Sequence, residues 1–280
     1  MPELANDLAL SKKIQSVKAS GIRIFDNKVS TIPGIIKLTL GEPDMNTPEH
    51  VKTAAIESIR NNDSHYAPQK GKLELRQAIS NYLKKASGVV YDPETEIVVT
   101  VGATEAINAT LFSITNRGDK VAIPTPVFSL YWPVATLADA DYVLMNTSED
   151  NFKLTPERLE STLKEESNIK AVILNYPVNP TGVEYTESEI RALAEVIKAH
   201  NLYVITDEIY STLTYGVKHF SIASVIPERA IYISGLSKSH AMTGYRLGYV
   251  AGPAKIMEQI GKVHGLMAVS YTHLRAHETR

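Results

Sequence analysis

The sequence contains no cysteine, which excludes disulfide bonds, thiol catalysis and metal sites with cysteine ligands. It also lacks an excess of charge. A formal net charge of −2 provides no basic field for nucleic acid and no polybasic patch for a membrane surface. No apolar run approaches the length of a membrane span, and residues 1–18 lack the apolar stretch of a secretory signal. These absences predict a soluble cytoplasmic protein that binds neither nucleic acid nor membrane.

The 280 residues can form one large domain, or a large and a small one, and 44% of them are apolar, which argues against disorder. From about residue 96 onward, short apolar or β-branched runs alternate with helical patterns. The predicted strands are residues 96–101, 121–124, 142–145, 171–174, 202–206, 230–234 and 247–251. This alternation predicts an α/β fold with a mostly parallel sheet and helices on both faces.

Several helix boundaries carry a local signal. Thr47-Pro48 and Thr155-Pro156 each read as an N-cap followed by proline at the first helical position. Thr186 and Glu189 have the spacing of a capping box. Gly88 follows a run with helical apolar spacing and predicts the end of that helix.

Segments rich in small or polar residues follow five of the predicted strands. They are residues 102–104, Phe128, Asn179, residues 207–210 and Lys238. Ligands of open α/β sheets bind beyond the carboxyl ends of the strands. The small-residue turn at 102–104 also opens a helix, whose free N–H groups suit a phosphate. The pattern therefore predicts one binding site that all five segments share.

Residues 235–248 combine a lysine with small neighbours and an arginine eight positions further on. A buried lysine close to a cation has a lowered pKa, and its neutral amine can form a Schiff base with an aldehyde. The fixed fork of Arg246 suits a phosphate. An aldehyde and a phosphate on one small molecule describe pyridoxal phosphate (PLP). The alternative is that Lys238 is an ordinary surface lysine in a glycine-rich loop.

The whole run 235–248 resembles the lysine-attachment motif of the class I/II aminotransferases, position for position over fourteen residues. Residues 37–44, which end in Leu-Gly-Glu-Pro-Asp, resemble the aromatic and N-acetyl-diaminopimelate aminotransferases of Gram-positive bacteria. The resemblance implies the large domain of PLP transferases of fold-type I, with a mostly parallel central sheet in αβα layers.

The resemblance also assigns roles around the cofactor ring. Lys238 would form the Schiff base and act as the general base, and Asp207 would keep the pyridine nitrogen protonated. Asn179 and Tyr210 would donate hydrogen bonds to the 3′-oxygen of the ring. Phe128 would stack on the ring, although a plain core phenylalanine is the alternative.

At the phosphate, the resemblance implies Arg246, the backbone N–H groups of Ala103 and Thr104, the hydroxyl of Ser237, and Tyr66 from the second subunit of a homodimer. Gly41 would lie against the substrate carboxylate, together with Asn179. The sequence departs from the family at Gly235, where a phosphate-binding serine is common. Ser237 or Thr104 would then provide the missing hydroxyl.

The implied reaction moves an amino group from an amino acid, an aromatic one in the subfamily named above, to a 2-oxo acid such as 2-oxoglutarate. Two alternatives stay open from the sequence. One is a PLP-dependent lyase that cleaves C–S bonds, since the same lysine, aspartate and arginine would serve it. The other is a non-catalytic module like the aminotransferase-like domain of some transcription regulators, although residues 1–50 are too short and insufficiently basic for the accompanying DNA-binding domain.

The resemblance divides the chain into an arm with part of a small domain at 1–50, a PLP-binding large domain at 51–268 and a tail unlike the family at 269–280. The small domain would be largely missing, so we expect weak PLP binding and poor transamination. His273 and His277 have metal-ligand spacing on a helix but no third ligand, so we predict a solvated tail and no metal site.

Overall fold

The computed structural model describes residues 9–268, so the tail at 269–280 and its histidines, His273 and His277, lie outside the described residues. The described part contains a seven-stranded sheet. Its strands are β1 (Ile97–Val101), β2 (Lys120–Thr125), β3 (Asp141–Asn146), β4 (Ile169–Asn175), β5 (Tyr203–Asp207), β6 (Ala230–Gly235) and β7 (Leu247–Ala251). Each agrees with a predicted strand to within two residues at either end.

The strand order across the sheet is β1-β7-β6-β5-β4-β2-β3. The pairs within β2 to β6 are parallel, whereas β7 runs antiparallel to both β6 and β1. The mostly parallel sheet is thus confirmed, and the reversal of β7 adds a feature that the sequence pattern did not predict. Because β7 is reversed, its first residues lie at the edge where the parallel strands end.

The helices are α1 (Lys12–Ser16), α2 (Gly21–Val29), α3 (Glu49–Arg60), α4 (Leu73–Ser87), α5 (Gly102–Ile114), α6 (Tyr131–Leu137), α7 (Pro156–Glu165), α8 (Glu187–Ala199), α9 (Leu236–Ser239) and α10 (Ala254–Met267). The Thr155 cap of α7, the Thr186–Glu189 capping box of α8 and the left-handed Gly88 after α4 are confirmed. The prediction for Thr47 was wrong, because Pro48 occupies the N-cap position of α3. The Thr47 hydroxyl instead donates to the carbonyl of Ala241, 2.6 Å away.

Two apolar layers cover the sheet, because successive strand residues point to opposite faces. Val204 of β5 packs into the layer that contains buried residues of α4 and α8, and its neighbour Ile205 packs into the layer of α5, α6 and α10. Fully burying an aliphatic side chain of this kind stabilises the fold by about 1.5–3 kcal/mol. Helices therefore flank the sheet on both faces, as predicted.

The segment before α3 lies near the edge where the parallel strands end. Asp26 of α2 accepts hydrogen bonds from Thr39 and Lys37, which connects α2 to the irregular stretch of residues 35–40. Ile36 and Leu38 on this stretch are 87% and 91% exposed. Across residues 9–268, none of the helices is both long and apolar enough to cross a membrane.

Candidate active site

A cavity of about 660 Å³ opens at the carboxyl edge of the parallel strands, within the size range of small-molecule sites. Its lining includes ten of the eleven residues singled out from the sequence. These are Gly41, Ala103, Thr104, Phe128, Asn179, Asp207, Tyr210, Ser237, Lys238 and Arg246. The eleventh, Tyr66, does not line the cavity and is 79% exposed. The structure thus brings the five strand-following segments together around one space.

Lys238 lies on the short helix α9, directly after β6. Its Nζ donates to the carbonyl of Gly41 and lies 5.7 Å from the centre of the Tyr210 ring. Burial lowers the pKa of this amine, and the positive charge of Arg246 lowers it further, against the opposing influence of Glu42. A lowered pKa increases the neutral fraction of the amine, the form that attacks an aldehyde.

Asp207 is the last residue of β5, and its carboxylate is buried. It accepts hydrogen bonds from the Tyr131 hydroxyl at 2.8 Å and from the N–H of Ile209 at 3.2 Å. Burial raises the pKa of Asp207 to about 6, against the lowering influence of these two donors. Within residues 9–268 no cationic side chain forms an ion pair with it. A positive group in the cavity would therefore find a carboxylate that lacks only its counter-charge.

The sequence reasoning missed Tyr131. It is fully buried as the first residue of α6, and its ring meets that of Phe128 edge to face at 5.9 Å. The Tyr131 hydroxyl holds Asp207 in place and favours its charged form.

Replacing Tyr131 by phenylalanine should raise the pKa of Asp207 further, because the Tyr131 hydroxyl lowers it. Loss of one hydrogen bond to a charged group should weaken PLP binding by about tenfold or more. Fluorescence titration of PLP at several pH values measures both effects. The loss of PLP affinity should be largest at acidic pH, where the variant's Asp207 is protonated more than that of wild type. Tyr142→Phe, at a half-exposed position on β3, is the matched control. Equal affinities for the two variants would contradict this role of Tyr131.

Asn179 and Tyr210 meet on the other side of Asp207. The side-chain amide of Asn179 donates to the Tyr210 hydroxyl at 3.2 Å. Asn175, the last residue of β4, connects Asp207 to Asn179. Its amide nitrogen donates to the backbone carbonyl of Asp207 at 3.0 Å, and its amide oxygen accepts from the N–H of Asn179 at 2.9 Å. The sequence reasoning did not select Asn175, although its place at a strand end pairs it with Asp207 in the sheet.

The start of α5 and Arg246 form the opposite end of the cavity. Gly102 has φ +73°, and a Cβ there would lie 2.6 Å from the Arg246 Nη2. Only glycine lets the guanidinium approach the first turn of α5 so closely. Arg246 itself is fixed by a hydrogen bond to the carbonyl of Thr243 at 2.9 Å. The positive end of the helix and the guanidinium together suit an anion.

Gly235 also has a packing reason in this structure. A Cβ at this position would lie 2.6 Å from the carbonyl oxygen of Leu247 on the paired strand β7. A serine would therefore require the two strands to move apart. Ser237 and Thr104, the residues suggested as substitutes, both line the cavity.

The residues present fit PLP. Lys238 is available for the aldehyde, the uncompensated Asp207 carboxylate suits a protonated ring nitrogen, and the α5 end with Arg246 suits the phosphate. Phe128 also lines the cavity, where its ring can provide a stacking partner.

Several known proteins are similar to this chain in sequence and structure. A probable N-acetyl-LL-diaminopimelate aminotransferase of Bacillus subtilis is 44% identical over 255 residues, covering 91% of this chain and 64% of that protein. The aromatic-amino-acid aminotransferase 2 of Thermococcus litoralis is 39% identical, covering 90% of this chain and 66% of its own length. The chain thus spans slightly less than two thirds of these curated relatives. A solved aspartate aminotransferase from Thermus thermophilus, with maleate, superposes with a TM-score of 0.92 at 33% identity and covers 97% of this chain and 72% of that one.

The strand order and the cavity at the carboxyl edge of the parallel strands, together with the superposition, define the large domain of PLP transferases of fold-type I. Residues 33–277 match the family described as aminotransferase class I and II. The chain belongs to this family, whose cofactor is pyridoxal phosphate.

Proposed function

We propose that this chain forms the PLP-binding part of an aminotransferase that moves an amino group from an amino acid to a 2-oxo acid such as 2-oxoglutarate. The observation that carries the proposal is the single cavity shared by Lys238, Asp207 and Arg246. The family match and the names of the relatives support the same reaction class. An aromatic amino acid as the donor is the finer part of the proposal and follows the similarity to the aromatic aminotransferases.

Bound PLP supplies an aldehyde for amines and a ring that takes up an electron pair. The protein provides the remaining functions. Lys238 would hold the aldehyde end of PLP, and its Nζ, whose lowered pKa favours the neutral amine, would serve as the base for the proton of the substrate Cα. Asp207 would keep a proton on the ring nitrogen, because its carboxylate is buried and forms no ion pair within residues 9–268.

The other residues hold the cofactor in position. Asn179 and Tyr210 provide polar side chains in the same cavity as Asp207, and Phe128 would stack on the ring. The phosphate would be held by Arg246, the N–H groups of Ala103 and Thr104, and the hydroxyl of Ser237, all of which line the cavity. Gly41, whose carbonyl contacts Lys238, and Asn179 line the same cavity and would contact the substrate carboxylate.

A homodimer is also part of the proposal. Tyr66 lies outside the cavity with most of its side chain exposed, so it is free to contact the phosphate site of a second copy. A cytoplasmic location stays a prediction of the sequence.

A single-turnover experiment tests the reaction. The PLP-loaded chain is mixed with phenylalanine, aspartate or alanine, and the products are identified by mass spectrometry. Transamination gives one equivalent of pyridoxamine phosphate and the matching 2-oxo acid, and addition of 2-oxoglutarate then restores PLP. Release of pyruvate and ammonia from a cysteine conjugate without pyridoxamine phosphate would support the lyase instead. PLP binding with neither product would contradict transamination by this chain.

A further inference from the structure

A second buried cluster of ionisable groups lies behind Asp207. Asp207 lines the cavity, whereas the next residue, Glu208, bonds to Tyr176 in the apolar layer of α4 and α8. The Glu208 side chain is completely buried. It accepts hydrogen bonds from side chains of four residues at 2.7 to 3.2 Å: Tyr176, Thr206, His219 and Ser221.

His219 lies between two carboxylates. Its Nε2 is 2.7 Å from Glu208, its Nδ1 is 3.2 Å from Glu184, and its ring packs on Tyr176 with centroids 5.1 Å apart. Burial alone would lower the pKa of His219, but the hydrogen bonds and charges of Glu184 and Glu208 outweigh burial and raise it to about 9. At neutral pH the cluster therefore contains an imidazolium that bridges two buried carboxylates.

This cluster closes the base of the loop that carries Tyr210. The loop leaves β5 at Glu208 and returns at His219 and Ser221, both of which contact the Glu208 carboxylate. Its middle is solvent-exposed, with Tyr215 at 86%. Tyr210 contacts Asn179 near the start of the loop, so its position depends on how firmly the base is closed.

We propose that His219 is a positioning residue, whose imidazolium joins Glu208 to Glu184 and so holds the Tyr210 loop in the geometry that receives PLP. The inference rests on the proposed function for its ligand, but the bridge itself is a property of the unloaded chain. Loss of the positive charge would leave Glu208 buried without a cation and weaken the loop base.

The test compares wild type with His219→Gln and uses His200→Gln as the matched control, because His200 pairs with Glu160 at a partly exposed site. Imidazole NMR of the unloaded chain should show one histidine that titrates near pH 9 and is absent in His219→Gln. The folded pKa of His219 exceeds the unfolded value of 6.5, so its contribution to stability is complete below pH 6.5 and disappears as the pH rises through about 9. The melting temperature of wild type and His200→Gln should fall across this interval, and that of His219→Gln should fall less.

PLP titration supplies the second readout. At pH 7 the dissociation constant for PLP should be about tenfold higher in His219→Gln than in wild type, because the loss of one charge-assisted hydrogen bond has this size. The two constants should converge above pH 9, where His219 of wild type is neutral as well. Subtracting the two pH profiles removes the titration of Lys238, which both proteins share. If His219→Gln fails to fold, Glu184→Gln serves instead and should lower the pKa of His219.

A histidine that titrates near its ordinary pKa, or equal PLP affinity of His219→Gln and wild type at pH 7, would overturn the inference. Absence of PLP binding by wild type would instead overturn the proposed function, while the NMR and melting results would still decide whether the bridge exists.

Discussion

Lys238→Ala should lose the covalently attached PLP that withstands gel filtration and slow the amino-acid half-reaction by roughly 10²- to 10⁴-fold, the usual contribution of a positioned general base. The substitution removes both the covalent attachment and the base. The other predicted contacts of the cofactor are retained, because Arg246 and Asp207 do not depend on the lysine for their own hydrogen bonds. PLP should therefore still bind, but noncovalently and dissociably.

Absorbance spectra after gel filtration, together with mass spectrometry under borohydride reduction, measure the attachment. Lys255→Ala, at an exposed position on α10, is the matched control and should behave as wild type. If reduction fixes the cofactor to another lysine, or if Lys238→Ala retains the full half-reaction rate, the assignment of position 238 is wrong.

Asp207→Asn should have opposite effects on chemistry and on stability. Asparagine retains the size of the side chain but cannot stabilise a proton on the ring nitrogen, so the half-reaction should slow by at least about 10²-fold. In the unloaded chain, burial raises the pKa of Asp207 from 3.8 to about 6. The folded state therefore favours the neutral acid, and stability falls as the pH rises from about 4 to 6. This difference in pKa amounts to about 3 kcal/mol at neutral pH.

Urea unfolding of the unloaded proteins at pH 4 and pH 8 tests the sign. Asp207→Asn should be more stable than wild type at pH 8 and close to it at pH 4. Asp141→Asn, on the exposed side of β3, should show no such crossover. Adding PLP should stabilise wild type more than Asp207→Asn, because the ring nitrogen supplies the missing positive charge. Equal pH dependence of the unfolding free energy in wild type and Asp207→Asn would show that burial does not disfavour the charged form of Asp207.

The strands and most helix ends could be predicted because their signals are local. The capping box at Thr186 and the left-handed Gly88 each depend on neighbouring residues only. Thr47 shows the limit of such signals: its hydroxyl bonds to Ala241, distant in sequence, and leaves the helix start to Pro48. The reversal of β7 was invisible for the same reason, because strand direction depends on which strands it pairs with.

The cavity lining was predicted more fully than the residues that support it. Lys238 and Arg246 occur in one recognisable run, whereas Asn175 and Tyr131 act through Asp207, which is distant from both in sequence. The cluster around Glu208 shows the same limit, since its members come from several separate segments that only the folded sheet brings together.

The reversed strand β7 also has an evolutionary consequence. Because β6 and β7 pair directly at Gly235 and Gly248, Lys238 and Arg246 are anchored on the two arms of one hairpin. The number of residues between those arms sets the distance from the Lys238 amine to the Arg246 guanidinium. An insertion or deletion in residues 239–245 would change that span while leaving the sheet intact. Selection for one coenzyme should therefore preserve the length of this stretch more strictly than its composition.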